Sequence, residues 1–451
     1  MPGSSASLSP ALPKADLSHL PHLPVTPFLG HTLDVVRDSY GLHRRSKDAF
    51  GPIYRFKLLG LWRVALHGPD ALEFILTDRD CLLSSHHGWD ALHRLFPRGL
   101  MLRDFDDHRR HRRIMQGAFR AGAMAHYHQR IAGEMDALVA NRPLGRAFAF
   151  YPAIKELTLR IGAAVFMGLP LDDPRTGQLN RAFIAEVMAA LSPIRRPVPF
   201  TPMARGVAGR LFLTQTFRDL IKERRLREGD DFFSQMCRAT DEDGTHWTDE
   251  EIADHFNFLL MAAHDTTASA LAALVWALGA HSEWQDRLVA EVDALPDGQP
   301  DQAALDTMVM TDRAFRKVLR LVPPVPFIPR RAVRDFIWAG VDFPKGSFVT
   351  VMAGATMLSS ELYTDPHRFD PDRFSPNRAE DRRHRFAWTP FGGGAHKCIG
   401  LHFSTMQVKL FTASLLRRAR IGLPEGPQVE WQRMPIPRPK GGLPVVLSPR
   451  M

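Results

Sequence analysis

The decapeptide FGGGAHKCIG, residues 391–400, contains the residue types in this chain that are best suited to chemistry. Its single cysteine, Cys398, lies between three consecutive glycines and the start of an amphipathic helix, where helix N-terminal amides stabilise a thiolate. The glycines let the backbone approach something flat and large, and His396 and Lys397 add positive charge. A buried and inert cysteine is the usual alternative for a free thiol, but it does not explain the glycines. The segment therefore predicts a thiolate site.

A second reactive pair, Asp265 and Thr266, lies in the middle of the longest helical pattern, residues 249–281. The pattern is apolar nearly all round, which is typical of a helix through the core. A threonine hydroxyl inside a helix can bond back to a carbonyl one turn earlier and open the helix slightly. A membrane span is the alternative, and His264 and Asp265 near the middle count against it. We predict a core helix with a groove beside this pair.

The elements that must position these residues are mostly helical. Two strand-like runs, 53–59 and 61–66, flank Gly60 and predict a hairpin, and β-like runs recur within 336–352. The sequence thus predicts a mainly α fold with a small β region. Helical periodicity covers about 70–78, 106–120, 124–140, 152–168, 178–192, 204–228, 249–281 and 282–295.

Composition sets the domain count and the compartment. The chain has 451 residues, of which 45% are hydrophobic, and shows no linker or repeat. We predict a flexible segment at 1–25 and a single domain at 26–451. The three cysteines, Cys81, Cys237 and Cys398, are odd in number and widely separated, which argues against a disulfide framework. The Pro- and Ser-rich start resembles neither a secretory signal nor an anchor, so we expect a cytoplasmic protein without a membrane span.

The net charge of +9 is compatible with nucleic acid, an acidic membrane or an acidic protein partner. No basic stripe interleaved with aromatic residues and no zinc-finger spacing occurs. The densest basic run, HRRHRR at 108–113, adjoins apolar residues and is typical of a solvated helix face. We therefore expect no nucleic-acid partner, and an acidic protein fits the charge better.

The decapeptide resembles the signature of the cytochrome P450 haem-thiolate monooxygenases, F-x-x-G-x-x-x-C-x-G, at Phe391, Gly394, Cys398 and Gly400. Further segments resemble elements of that family in the right order across most of the chain, and the length is similar to one catalytic domain of the bacterial soluble type. These segments are DFDDHRRHRRIMQGAF (104–119), AAHDTT (262–267), HSEWQDRLVAEVDAL (281–295), PRRAVRD (329–335) and PDRF (371–374).

The resemblance implies the cytochrome P450 fold, with haem b buried between the long central helix and the helix after the cysteine loop. Cys398 would be the axial thiolate ligand of the haem iron. His111 with Arg113 could hold a haem propionate. We prefer His108 with Arg112, because their i,i+4 spacing aims both side chains the same way. The residues implied to hold the propionates are His108, Arg112, Arg330 and His396.

For the central helix, the resemblance implies that the Thr266 hydroxyl steadies dioxygen and relays protons, with Asp265 connecting the relay to solvent. Ala263 stands where the family often has glycine. The implied reaction inserts one oxygen atom into an apolar small molecule, such as a fatty acid, terpenoid, steroid or aromatic. Electrons would come from a separate ferredoxin or flavodoxin-type donor, and a monomer is expected. A haem-binding protein with little turnover and a peroxide-driven peroxygenase remain alternatives, although the Asp265-Thr266 pair counts against the second.

One position in the segment FRKVLRLVPPVP departs from the family pattern. The corresponding helix normally carries E-x-x-R, whose two side chains pair with the arginine of the P-E-R-F element. Arg320 and Arg373 are present, but Lys317 occupies the glutamate position, and like charges about 4 Å apart repel by roughly 4 kcal/mol at an effective dielectric near 20. We expect Lys317 to be deprotonated or turned to solvent, with an acid such as Asp370 or Asp372 filling the gap. Otherwise the fold tolerates the lysine at reduced haem affinity.

Overall fold

A computed structural model describes residues 11–450, except 118, 120, 170–174, 191, 193, 227–228, 230, 241–243 and 427–428. Of the predicted flexible segment, residues 1–10 lie outside the described residues, and Leu17 and Leu20 are buried. The described part of the chain is mainly α, as predicted. Its α-helices are α1 (Thr32–Phe50), α2 (Pro69–Thr77), α3 (Phe105–Gly117), α4 (Ala121–Ala140), α5 (Phe150–Ile161), α6 (Thr176–Ala190), α7 (Pro202–Arg225), α8 (Phe232–Arg238), α9 (Asp249–Ala280), α10 (Ser282–Asp293), α11 (Gln302–Asp306), α12 (Val309–Leu321), α13 (Ala353–Met357) and α14 (Leu401–Arg418).

The strands form small sheets beside the helices. The largest sheet has the order β1-β2-β8-β5-β3, in which β2 and β8 are parallel and the other neighbours are antiparallel. The predicted hairpin is confirmed, with Leu58 opposite Leu61 and Gly60 at φ +80° in the turn. The strands are β1 (Ile53–Leu58), β2 (Leu61–Leu66), β3 (Leu83–Ser84), β4 (Ala147–Ala149), β5 (Ile328–Ala332), β6 (Phe336–Trp338), β7 (Val341–Phe343), β8 (Phe348–Val351), β9 (Ala419–Gly422), β10 (Trp431–Gln432), β11 (Arg438–Pro439) and β12 (Pro444–Pro449).

Helix α9 begins at a capping box, as its sequence T-D-E-E favours. The Thr248 hydroxyl accepts the amide hydrogen of Glu251, whose carboxylate accepts the Thr248 amide hydrogen in return. The helix has 32 residues and so spans roughly 48 Å. By length and composition α9 could cross a membrane, but 72% of its most apolar window is buried inside the molecule. This burial inside the protein agrees with the predicted core helix.

The core lies around α9 and α14. Helices α5, α7, α10 and α12 pack against α9, while α4, α10 and α12 pack against α14. Helix α5 continues for one turn as a π-helix, Gly162–Phe166, so the predicted helix 152–168 is two elements. This packing fixes the two helices that carry or adjoin the candidate reactive residues.

Candidate functional site

Cys398 lies in the loop between a 3-10 turn, Gly394–His396, and the start of α14. Its backbone amide donates to the Phe391 carbonyl at 2.9 Å, which closes the loop. The side chain is accessible to solvent, yet burial raises the pKa of the thiol, against the opposing effect of the Gly400 amide. The sulfur is therefore open to a ligand, although protein atoms surround much of it. A thiolate there could bind a metal.

The glycines of the loop are explained chiefly by close approach to other parts of the protein. Gly394 has φ +59°, and a Cβ at this position would lie 1.8 Å from the carbonyl oxygen of Leu76. A Cβ at Gly393 would lie 2.6 Å from the ring of Phe386. Close packing against α2 and Phe386 therefore already requires glycine at 393 and 394, and the approach of these glycines to a flat ligand stays a prediction.

Four basic side chains from three elements converge beside this loop. The rings of His108 on α3 and His396 in the 3-10 turn lie 3.9 Å apart between centroids. Burial, with the positive charges of Arg112 and Arg330, lowers the pKa of His108 to about 4. Burial and then Arg330 lower the pKa of His396 well below its ordinary value. We call His108, Arg112, Arg330 and His396 the cationic cluster.

The cationic cluster fits the two carboxylates of a haem. The Nδ1 atom of His108 is buried without a hydrogen-bond partner. Arg330, on β5, is buried, and its described hydrogen bond goes to the carbonyl of the preceding residue, Pro329. Burial lowers the pKa of Arg330 to about 10, so the guanidinium still carries its charge at neutral pH. A buried cation and an unpartnered ring nitrogen accommodate an anion well.

The alternative histidine, His111, belongs to a different network. Its Nδ1 atom lies 2.8 Å from Nε2 of His255 on α9, and its Nε2 atom lies 3.3 Å from Asp107. The ring of His111 also packs on Trp247, with 5.0 Å between centroids. His108, and not His111, therefore meets His396.

The pair on α9 is held by local and tertiary contacts. The Thr266 hydroxyl donates to the Ala262 carbonyl at 2.6 Å, the back-bond expected for a threonine inside a helix. Lys155 Nζ, on α5, lies 2.7 Å from Asp265 Oδ1, and His264 Nδ1 lies 3.2 Å from the same oxygen. Burial acts to raise the pKa of Asp265, but His264 and Lys155 outweigh it and lower the pKa to about 2. The sequence reasoning missed Lys155, since nothing in its spacing points to a residue 110 positions away.

An apolar cluster packs beside the same stretch of α9. The family resemblance implies a substrate pocket lined by Trp89, Leu92, Leu95, Phe96, Leu100, Met188, Leu191, Val325 and Phe327. The first four of these belong to the apolar cluster. Met188 is 49% exposed, and Leu191 lies outside the described residues. Leu100, Val325 and Phe327 pack into other clusters. We call the whole apolar cluster, including Trp89, Leu92, Leu95 and Phe96, the distal cluster. Its other members are Met101, Leu102, Ala189, Ala190, Met203, Val207, Phe258, Met261 and Ala262.

Lys317 is buried at the end of α12. Its side chain is 0% exposed and its Nζ lies 3.5 Å from the Pro366 carbonyl, so the expectation that it turns to solvent is wrong. Burial, with the charges of Arg320 and Arg373, lowers the pKa of Lys317 to about 5, which supports the deprotonated form. Asp372 does not fill the gap, because Arg287 on α10 binds it at 2.7 and 3.0 Å. The charged or titratable groups that influence Lys317 are Arg320, Arg373, Asp370, Glu380 and His367.

A solvent-accessible cysteine in a glycine-rich loop, the cationic cluster beside it and the Asp265-Thr266 pair on a core helix are the features expected of a haem-thiolate protein. The chain belongs to the cytochrome P450 family, whose model matches residues 21–441. Its fold is the cytochrome P450 fold, its cofactor is haem b, and it is a cytochrome P450 monooxygenase.

Relatives of known sequence and structure agree with this assignment. Cytochrome P450 136 of Mycobacterium tuberculosis is 37% identical over 430 residues, which cover 94% of this chain and 87% of that protein. Cytochrome P450 120 of Synechocystis is 30% identical over 429 residues, covering 94% and 96% respectively. A cyanobacterial cytochrome P450 solved with retinoic acid bound has a TM-score of 0.87 at 29% identity, covering 96% of this chain and all of that one.

We expect Gly394→Ala to disrupt the cysteine loop. A side chain there adopts a left-handed backbone at a cost of roughly 1–2 kcal/mol and also meets a backbone carbonyl. The haem bound per protein chain and the melting temperature should both fall. Gly392→Ala is the matched control, because its φ is also left-handed, at +67°, but its Cβ would lie 3.9 Å from the nearest atom, the His396 carbonyl oxygen. Equal effects of the two substitutions would contradict the close approach to Leu76.

We expect Lys317→Met to stabilise the protein most at low pH. Folded Lys317 is neutral above about pH 5, whereas the unfolded side chain keeps its proton up to about its ordinary pKa of 10.5. The unfolded wild type therefore binds more protons, and this lysine makes the free energy of unfolding rise by up to about 1.4 kcal/mol per pH unit. Denaturant titrations should show the advantage of Lys317→Met shrinking by up to about 3 kcal/mol from pH 6 to pH 8. The exposed Lys345→Met is the control, and a pH-independent advantage would contradict a neutral Lys317.

Proposed function

We propose that this cytochrome P450 monooxygenase inserts one atom of dioxygen into an apolar small molecule, using electrons from a separate ferredoxin or flavodoxin-type donor. The observation that carries the proposal is the continuity between the distal cluster and the Thr266 turn. Ala262 belongs to the cluster and accepts the hydrogen bond of the Thr266 hydroxyl. An apolar molecule against the cluster would therefore lie next to that hydroxyl.

We propose that Cys398 would hold haem b as its thiolate ligand and that the cationic cluster would bind its propionates. Phe391 and Gly394 shape the loop around the sulfur through the hydrogen bond and the close contact described above, and the Gly400 amide acts on the sulfur directly. The chemistry that haem supplies is reductive activation of dioxygen, which a thiolate ligand promotes. The protein contributes the position of the sulfur, the anchoring charges and the exclusion of water.

The proposed proton path runs through residues on two helices. Asp265 is ionised and paired with Lys155, which is 31% exposed and so reaches solvent. A proton can move from solvent to this pair and then towards the Thr266 hydroxyl, the next residue on α9. The hydroxyl holds a proton at Oγ1 while its bond to Ala262 orients it.

The substrate class follows from the distal cluster and from the relatives. The cluster consists of aliphatic, aromatic and methionine side chains, which bind apolar molecules without fixing a hydrogen-bond pattern. A relative from Streptomyces avermitilis, 30% identical over 406 residues, is a pentalenene oxygenase, and the cyanobacterial structure contains retinoic acid. A terpenoid-like, fatty-acid, steroid or aromatic substrate is compatible with these surroundings.

The electron donor is proposed to dock on the side of the cysteine loop. Lys397 is exposed one residue before Cys398, and the net charge of +9 attracts an acidic protein. Lys409 on α14 contributes less, since its Nζ donates to the Leu305 carbonyl at 2.8 Å. We further propose that residues 26–451 act as one haem-thiolate catalytic domain in a cytoplasmic monomer.

The spectrum of the reduced, carbon-monoxide-bound protein tests the ligand assignment. We expect the red-shifted Soret band of thiolate ligation in the wild type, and its loss in Cys398→Ala. Cys81→Ala is the matched control and should keep the band. A wild-type band at the position given by imidazole or thiol ligation would contradict the proposed function.

The role of Thr266 is tested with two variants that separate its hydroxyl from its shape. Thr266→Val removes the hydroxyl and keeps the shape, whereas Thr266→Ser keeps the hydroxyl. With a substrate identified by its spin-state shift, Thr266→Val should lower the rate of product formation on the order of 10²-fold. Thr266→Ser should retain most of the rate. Equal rates in both variants would show that the hydroxyl takes no part in the reaction.

A further inference from the structure

The end of α12 and the segment after α13 enclose three basic side chains. Lys317, Arg320 and Arg373 are each 0% exposed. Arginine does not give up its proton in proteins, so two full positive charges remain buried here even when Lys317 is neutral. Buried charges of one sign are strongly destabilising unless an opposite charge or several acceptors meet them.

Arg320 is accommodated without a carboxylate. Its guanidinium donates to the backbone carbonyls of Met357 and Pro366 and lies 4.4 Å from the ring centroid of Tyr363. Carbonyl dipoles and an aromatic face stabilise a cation in this geometry. The neutral amine of Lys317 shares the Pro366 carbonyl as an acceptor.

Arg373 pairs with the carboxylate of Glu380, which lies outside the segments that resemble family motifs. This residue is 3% exposed and begins the short 3-10 turn Glu380–Arg382. Its Oε2 atom accepts from Arg373 Nη1 at 2.8 Å and from the Thr364 amide at 3.2 Å. Its Oε1 atom accepts from Arg378 at 2.5 Å. Burial acts to raise the pKa of Glu380, but Arg378 and Arg373 outweigh it and keep the pKa below its ordinary value.

Other acids nearby do not take this place. Asp370 Oδ2 lies 3.7 Å from Arg373 Nη2 and is 2.7 Å from Arg378, which is half exposed. Asp381 binds Arg316 at 2.6 Å, outside the group of three basic residues. Glu380 is therefore the carboxylate in direct hydrogen-bond contact with Arg373 in the described part of the chain.

The Arg373–Glu380 pair is linked to the cysteine loop through Tyr363. Glu380 accepts the amide hydrogen of Thr364, the residue after Tyr363, and the Tyr363 hydroxyl donates to the Ala387 carbonyl at 3.1 Å. Ala387 lies four residues before Phe391, whose carbonyl accepts the Cys398 amide hydrogen. A displaced Arg373 would thus change where the chain enters the loop.

We propose that Glu380 is a positioning residue, which supplies to Arg373 the carboxylate that position 317 lacks and so fixes the segment that leads to Cys398. The carboxylate has moved from the helix to the irregular segment itself, and Lys317 fills the vacated position as a neutral hydrogen-bond donor. Arg373 therefore has a negative partner, as in the family pattern, but the partner comes from the irregular segment and not from the helix.

Glu380→Gln tests this proposal with Asp381→Asn as the matched control, since each removes one arginine-paired carboxylate and the two positions are adjacent. The readouts are the haem bound per chain and the fraction of the reduced carbon-monoxide complex that keeps the thiolate-type Soret band during incubation. We expect Glu380→Gln to lose that band several-fold faster than wild type, and Asp381→Asn to stay close to wild type. Equal loss in both variants would overturn the proposal.

A rescue experiment separates two explanations for a defect in Glu380→Gln, the loss of a carboxylate next to Arg373 and a general loss of stability. In the Glu380→Gln background, Lys317→Glu should restore the thiolate band and the bound haem, whereas Lys317→Met, which only removes the buried amine, should restore less. This comparison remains informative if Glu380→Gln alone fails to bind haem. No advantage of Lys317→Glu over Lys317→Met in that background would overturn the proposal. The inference rests on thiolate ligation at Cys398, which the wild-type spectrum tests separately.

Discussion

The buried guanidinium of Arg373 is the group on which the path of the chain to Cys398 depends. It donates to the backbone carbonyls of Thr364, Asp365 and Asp370, so that one side chain holds several turns of an irregular segment. Irregular backbone has no helical or sheet ladder to satisfy its carbonyls, and a planar fork of donors takes over that task. The charge that makes these hydrogen bonds strong must also be balanced, so a carboxylate has to lie within reach.

Because arginine and lysine respond differently to burial, the region can contain three basic residues. A buried ammonium group can lose its proton at neutral pH, whereas a buried guanidinium keeps its charge. Lys317 is therefore the residue that becomes neutral, and Arg320 and Arg373 remain cations with carbonyl, aromatic and carboxylate partners. A lysine at this position is compatible with the family fold because its charge can disappear.

Helix α9 separates the polar and apolar sides of the site by its geometry alone. Ala262 and Thr266 are one turn apart and share a face, whereas Asp265 is rotated by about 100° from Thr266 and points to Lys155 on α5. The apolar distal cluster can therefore end at the Thr266 hydroxyl while the ion pair stays on the neighbouring face. The same rotation keeps the ionised carboxylate out of direct contact with an apolar substrate.

The sequence by itself determined the long core helix to within one residue, the hairpin around Gly60 and membership of the cytochrome P450 family. The helix and the hairpin depend on periodicity and on turn residues within short segments, and such patterns are visible in one dimension. The family was identified by the resemblance of the Cys398 segment and of other short segments to family motifs. Only the tertiary structure decided that Leu76 packs against Gly394, that Lys155 faces Asp265, and that Glu380, outside every segment that resembles the family, pairs with Arg373. Those partners come from other helices or from an irregular loop without a period, so packing alone brings them together.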